Sequence, residues 1–200
     1  MVGILEPVVD TEELQLAISL PDLDSVFNGR FIPLNSLMES LSQMSNFDAI
    51  FVGGISNELP VEKRRALSQI CEEKGIELIE FENPSNDAVA IRDVVLNLAD
   101  KLFSDEMPGN LDLADIRNIN QYSDCLFAFN SQYSALCFLE QQQVGDVVGG
   151  VYLAHGDRNL REYEAINEAL LKHFADDGFL CSSFHSSGRA DCTILLGIRT

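Results

Sequence analysis

The chain has 200 residues, 46% of them hydrophobic, enough apolar material for one large domain or two small ones and too much for a disordered chain. Its 32 acidic residues face only 13 Lys and Arg, and the resulting formal charge of -19 repels phosphate backbones and anionic lipid, so nucleic acid is not an expected partner. The longest apolar runs fall short of the roughly 20 residues a membrane helix needs. The N-terminus lacks the basic start and long apolar region of a secretory signal, so no membrane insertion and a cytoplasmic location are expected.

Taken in order, the first 30 residues mix acids with Leu16-Ala-Ile-Ser-Leu20 and Pro21-Asp-Leu-Asp24, which suggests one or two strands joined by tight turns. Apolar residues at 34, 37, 38 and 41 have helical spacing. Asp48 to Gly54 is a short apolar run closed by two glycines and reads as a buried strand. A helix follows from about Pro60 to Lys74, with Ala66, Leu67, Ile70 and Cys71 inward and Gly75 as its stop. Ile76 to Phe81 is a second strand, so residues 48 to 82 form a βαβ unit with a right-handed crossover in a partly parallel sheet.

Ala88 to Phe103 repeats the helical period with Val89, Ile91, Val94, Val95, Leu98 and Leu102 inward, and Pro108-Gly109 is expected to end that helix. Beyond it the pattern predicts a helix from Ala114 to Ile119, a strand from Cys125 to Phe129 and a helix from Ser134 to Gln143. Val147 to Ala154 reads as a strand and Asn159 to Phe174 as a helix with Tyr163, Ile166, Leu170 and Leu171 inward. Phe179 to Phe184 and Cys192 to Ile198 complete the sheet, with His185-Ser-Ser-Gly-Arg189 as a hairpin connection.

Asn110, Asp112 and Asp115 stand in an NxDxxD pattern where the long helix gives way to the next. Two carboxylates at that spacing can bind a cation or orient a water. Equally, an Asp at a helix start caps it by accepting backbone N–H bonds. The full segment Asn110-Leu-Asp-Leu-Ala-Asp-Ile-Arg117 resembles the synergy loop of the FtsZ and tubulin superfamily, Asn-Leu-Asp-Phe-Ala-Asp-Val-Arg in FtsZ proteins. Downstream, the order of strands and helices, Gly149 to Leu160 and Ala190 to Gly197 are similar to that family's C-terminal domain.

The resemblance implies that Asp112 and Asp115 act catalytically in trans, entering a neighbour's nucleotide site, with Asn110 and Arg117 at the interface. It departs from the family at the phosphate cradle. Where FtsZ proteins carry GGGTGTG, this chain has Gly53-Gly-Ile-Ser-Asn-Glu-Leu-Pro60, and the chain before Asn110 is much shorter. Gly53 and Gly54 remain the cofactor-binding candidates, or else a plain strand-to-helix turn. No cofactor is specified in this chain, and any GTP would be supplied by a partner subunit.

His155-Gly-Asp-Arg158 offers acid-base or anion-binding groups, but Asp157 or Asn159 also suits a helix cap. The five cysteines form no CxxC pair and read as reduced, structural thiols; with three histidines they give no zinc spacing, and no metal site is expected. The expected architecture is α/β: a partly parallel, three-layer N-terminal half with a central helix over 1–107, then a mixed-sheet α+β half over 108–200. The function expected is that of a divergent FtsZ/tubulin-like cytoskeletal or cell-division protein, oligomeric, whose partner is itself or an FtsZ/tubulin-type subunit. The competing reading is a small-molecule-binding or signalling α/β domain.

Overall fold

A computed structural model describes residues 13–21, 23–43, 46–105, 111–141, 145–157 and 159–200. Its N-terminal strands are β1 (Leu16–Ser19), β2 (Arg30–Phe31), β3 (Ala49–Gly53) and β4 (Glu77–Glu82). Helices α1 (Leu37–Gln43), the single turn α2 (Ile55–Glu58) and α3 (Val61–Lys74) lie between them, and α4 (Ala88–Leu102) follows β4. Then come α5 (Leu113–Tyr122), β5 (Cys125–Phe129), α6 (Gln132–Glu140), β6 (Asp146–His155), α7 (Leu160–Leu171), β7 (Phe174–His185) and β8 (Cys192–Arg199).

All eight strands among the described residues join one mixed sheet in the order β2-β1-β3-β4-β5-β8-β6-β7. The first five in that order run parallel, and β8 is antiparallel to both its neighbours, β5 and β6. The expected βαβ unit is present, since β3 pairs parallel with β4 along its whole length. The join between the halves is narrow: β4 meets β5 only at Phe81–Leu126 and Glu82–Phe127. Below that join the Asn120 side chain fills the gap, donating to the Leu78 carbonyl at 3.2 Å and to Glu77 at 2.8 Å.

Three layers follow from which residues alternate onto which face. Ala49 and Phe51 of β3 pack with Ile91, Val94 and Leu98 of α4 and with Ile116 and Ile119 of α5. Ile50 and Val52 turn the other way, onto Leu37 and Leu41 of α1 and Leu67 and Cys71 of α3. Covered on both faces, such a strand must be apolar throughout, which is why the run was readable. In the other half, Tyr152, Ala154, Ile194 and Leu196 pack with Ala135 of α6 and Ile166 and Leu170 of α7. The place of α5 depends on Gly197, where a Cβ would sit 2.6 Å from Ile119 Cγ2.

Several expectations change. β2 pairs parallel with β1, so a longer excursion and not a tight turn joins them. The long helix ends at Leu102, before the expected stop, and Pro108 and Gly109 lie outside the described residues. Val89 and Leu171, expected inward, are 49% and 47% exposed, because each sits at the margin of its helix's apolar stripe. Chain from Phe174, expected in the preceding helix, opens β7 instead. Finally, β7 and β8 do not form a hairpin: β6 lies between them, and residues 186–191 cross its end. All five cysteines are free, and no described helix is long and apolar enough to cross a membrane.

Candidate functional site

The start of α5 is built by local rules. Asp112 is the N-cap, and its carboxylate accepts from the Asp115 backbone N–H at 3.0 Å, while the Asp112 N–H donates to the Asp115 carboxylate at 3.0 Å. This is a reciprocal capping box with Asp in place of Glu. Leu111, just before the cap, and Ile116, one turn in, are both buried in the same core cluster, the positions of a hydrophobic staple. The Leu-Asp-x-x-Asp-Ile pattern is therefore also what a well-made helix start requires.

The cap leaves chemistry over. Only one oxygen of each carboxylate is used by the box, and Asp112 is exposed. Asp115 lies beside the Cys181 thiol of β7. Burial, then the nearby Asp115 and Asp112 charges, push that thiol up to about 12, so it stays protonated. Arg117 forms an ion pair with Glu77 at 3.4 Å, fastening α5 to the first residue of β4. Asn110 lies outside the described residues.

Gly53 and Gly54 occupy the carboxyl end of β3, a different part of the molecule. Five strand spacings separate β3 from β7 in the sheet, roughly 24 Å. Gly54 takes the left-handed conformation, φ 69°, that turns the chain into α2. The space a phosphate would need against Gly53 is filled, since a Cβ there would lie 2.6 Å from both Leu20 Cδ2 and Ile91 Cγ2. The Ser56 amide is also occupied, donating to Glu80 at 3.1 Å. Burial and the neighbouring Glu82 raise the Glu80 carboxyl above its usual range, against the opposing pull of Ser56 and Arg64.

Two features escaped the sequence reading. The first is a polar chain across the end of β6 and the start of β8. Asn97 of α4 donates to Thr193 at 2.9 Å and to the Arg189 carbonyl at 3.1 Å, and accepts from the Arg189 amide at 2.8 Å. Arg189 continues to Asp100 at 2.6 Å. The His155 ring sits between the Ala190 carbonyl at 3.2 Å and Thr193 Oγ1 at 3.0 Å; the carbonyl can only accept, so Nδ1 carries the proton and Nε2 receives the hydroxyl's. His155 is thus a buried structural group, and the helix after it is capped by Asn159.

The second feature is a cavity of about 360 Å³ at the carboxyl ends of β4 and β5. The chain leaves β4 for α4 on one face of the sheet and β5 for α6 on the other, so the two connections part and open a crevice. Asp87, Asn130, Tyr133, Cys137 and Phe138 line it. Asn83 holds it open, donating to the Ala128 carbonyl at 2.8 Å while accepting from the Ser85 and Asp87 amides. Only the strand order reveals this place, and no single motif marks it.

No protein-family model matches the chain, and no curated protein does. Among solved structures it is similar to CetZ from Methanosaeta thermophila strain DSM 6194, with 14% identity and a TM-score of 0.41, over 82% of this chain. The match spans 56% of the CetZ chain, little more than half its length. A second structure, the dihydroxyacetone kinase operon co-activator Dha-DhaQ, is 10% identical with a TM-score of 0.32, over 93% of this chain and 82% of that one.

Proposed function

We propose that this chain is a divergent FtsZ/tubulin-like protein that works through subunit contact, presenting Asp112 and Asp115 to a neighbouring subunit. The observation that carries this reading is that the Asn110-Leu-Asp-Leu-Ala-Asp-Ile-Arg117 segment leaves Asp112 exposed, with one carboxylate oxygen of each aspartate outside the capping box. The filled space at Gly53 and the Glu80 carboxylate on the Ser56 amide support a division of labour in which the nucleotide belongs to the neighbour. There the free oxygens would orient the attacking water on GTP.

The test is GTP turnover and co-sedimentation of an FtsZ-type protein mixed with this chain or with Asp112→Asn. Asn caps a helix as well as Asp does, so the variant keeps α5 and removes only the charge. Faster turnover with the native chain and its loss in the variant are expected. Unchanged turnover together with no co-sedimentation would refute the reading.

One observation favours a second reading, a small-molecule-binding domain: the crevice between the β4 and β5 ends stands where open α/β sheets take their ligands. A metabolite panel in a thermal-shift assay separates the two. Stabilisation that disappears in Asp87→Asn or Tyr133→Ala would move the function to the crevice.

A further inference from the structure

The crevice at the carboxyl ends of β4 and β5 holds about 360 Å³, the small end of the range for metabolite sites. One wall is a face of α6, from Tyr133 through Cys137 and Phe138 to Gln141, and the other is the turn from Asn83 into the start of α4. Phe129 and Phe138 meet at 5.3 Å between ring centroids and give the space an apolar side. Tyr133 adds a third aromatic ring, left 78% exposed. Among the described residues that line the crevice there is no Lys, Arg or His.

The polar groups select the sign of a ligand. Asn83 is engaged by the Ala128 carbonyl and by the Ser85 and Asp87 amides. Asn130 donates its side-chain nitrogen to Asp93 at 3.0 Å; a carboxylate only accepts, so the side-chain oxygen is the atom left over. Asp87 gives Oδ1 to the Val89 and Ala90 amides, and its Oδ2 has no partner among the described residues. Both leftover atoms accept and neither donates. An anion would also meet a carboxylate at each helix start, Asp87 on α4 and Asp191 on α6, where it lies 3.4 Å from the Gln132 amide. A cation meets acceptors and aromatic rings, whose faces attract positive charge, in a chain whose formal charge of -19 adds a field of the same sense.

We propose that the crevice takes a small primary ammonium with an aromatic or aliphatic body, Asp87 being its charge partner and Tyr133 and Phe138 the rings beside its body. This assigns a ligand class to the crevice and rests on the second reading above, that the crevice is a ligand site. Probes that share a phenyl ring separate charge from fit: phenethylamine, phenethyl alcohol and phenylacetate. In NMR titrations of the full isotope-labelled chain, phenethylamine alone is expected to shift the Asp87, Tyr133 and Cys137 amides, less so as NaCl rises. Asp87→Asn keeps the cap on α4 and is expected to weaken phenethylamine by roughly fivefold, and Tyr133→Leu by roughly threefold. Circular dichroism checks that both variants fold; if either does not, the probe comparison on the native chain decides. If phenethyl alcohol or phenylacetate shifts the same amides as strongly, or folded Asp87→Asn binds phenethylamine unchanged, the crevice stands as a ligand site and the ammonium assignment is overturned. If no probe shifts those amides and no metabolite stabilises the chain through Asp87 or Tyr133, both fall.

Discussion

Asn97 on α4 donates to the Thr193 hydroxyl on β8 at 2.9 Å, joining residues 96 positions apart, and both are fully buried. The same amide holds the Arg189 backbone by both its N–H and its C=O. Asn97→Leu would strand those groups without water to replace the partner, a loss of about 2–3 kcal/mol. Thr193→Val leaves the Arg189 bonds in place but strands His155 Nε2 and one Asn97 N–H, and is expected to cost about 1–3 kcal/mol. Urea unfolding midpoints at constant slope check both values.

Asp112→Ala removes the side-chain acceptor at the start of α5 and is expected to destabilise the chain by about 1 kcal/mol, whereas Asp112→Asn is nearly neutral. Thermal melts of the two variants test this. Equal losses would mean that the charge and not the hydrogen bond stabilises the turn.

At Gly53 a methyl group would meet Leu20 and Ile91, so Gly53→Ala should overpack the junction at a cost of about 1–3 kcal/mol. At Gly54 the added carbon would find only Pro21 at 3.8 Å. Its penalty comes from the positive φ alone, about 1–2 kcal/mol. Combining Gly53→Ala with Ile91→Ala, which removes the Cγ2 that the added carbon meets, should cost less than the two single losses summed, a coupling that Gly54→Ala with Ile91→Ala should lack, read in denaturant midpoints.

Burial pushes the Cys71 thiol up to about 11 and, with the Asp115 and Asp112 charges, Cys181 up to about 12. An unfolded thiol ionises near 8.5. Above that pH the folded chain holds protons that the unfolded chain releases, so this stabilisation is complete below about 8.5 and declines as pH rises through the folded values. Urea midpoints at pH 10 should fall below those at pH 7, and by less in the Cys71→Ala, Cys181→Ala double variant. Asp115→Asn should speed alkylation of Cys181 at fixed pH.

The elements legible in the sequence are those whose residues are dictated locally. β3 and β5 show as short apolar runs, α3 shows by its stripe and its Gly75 stop, and the start of α5 shows as an Asp-x-x-Asp flanked by Leu111 and Ile116. What stayed hidden depends on pairing at a distance. Nothing in Phe179 to Ile198 tells that β6 inserts between the last two strands, because all three are apolar and each would satisfy either neighbour. Asn97 lies inside a helix whose periodicity accounts for its place without its bonds, and Arg189 sits in a turn whose composition suits a hairpin. The crevice beside Asp87 and Asn130 follows from helices departing to opposite faces, a property of the whole sheet.

The central position of β8 sets an order of assembly. β5 has its long antiparallel partner only in β8, which is also the strand that links β5 to β6. Chain growing from the ribosome therefore makes β5, α6, β6, α7 and β7 before the strand that binds them together exists, while β1, β3 and β4 can already pair in parallel. The N-terminal layers can form as the chain emerges; the C-terminal ones wait for residues 192–199, and until then the apolar flanks of β5 and β6 stand open to chaperones.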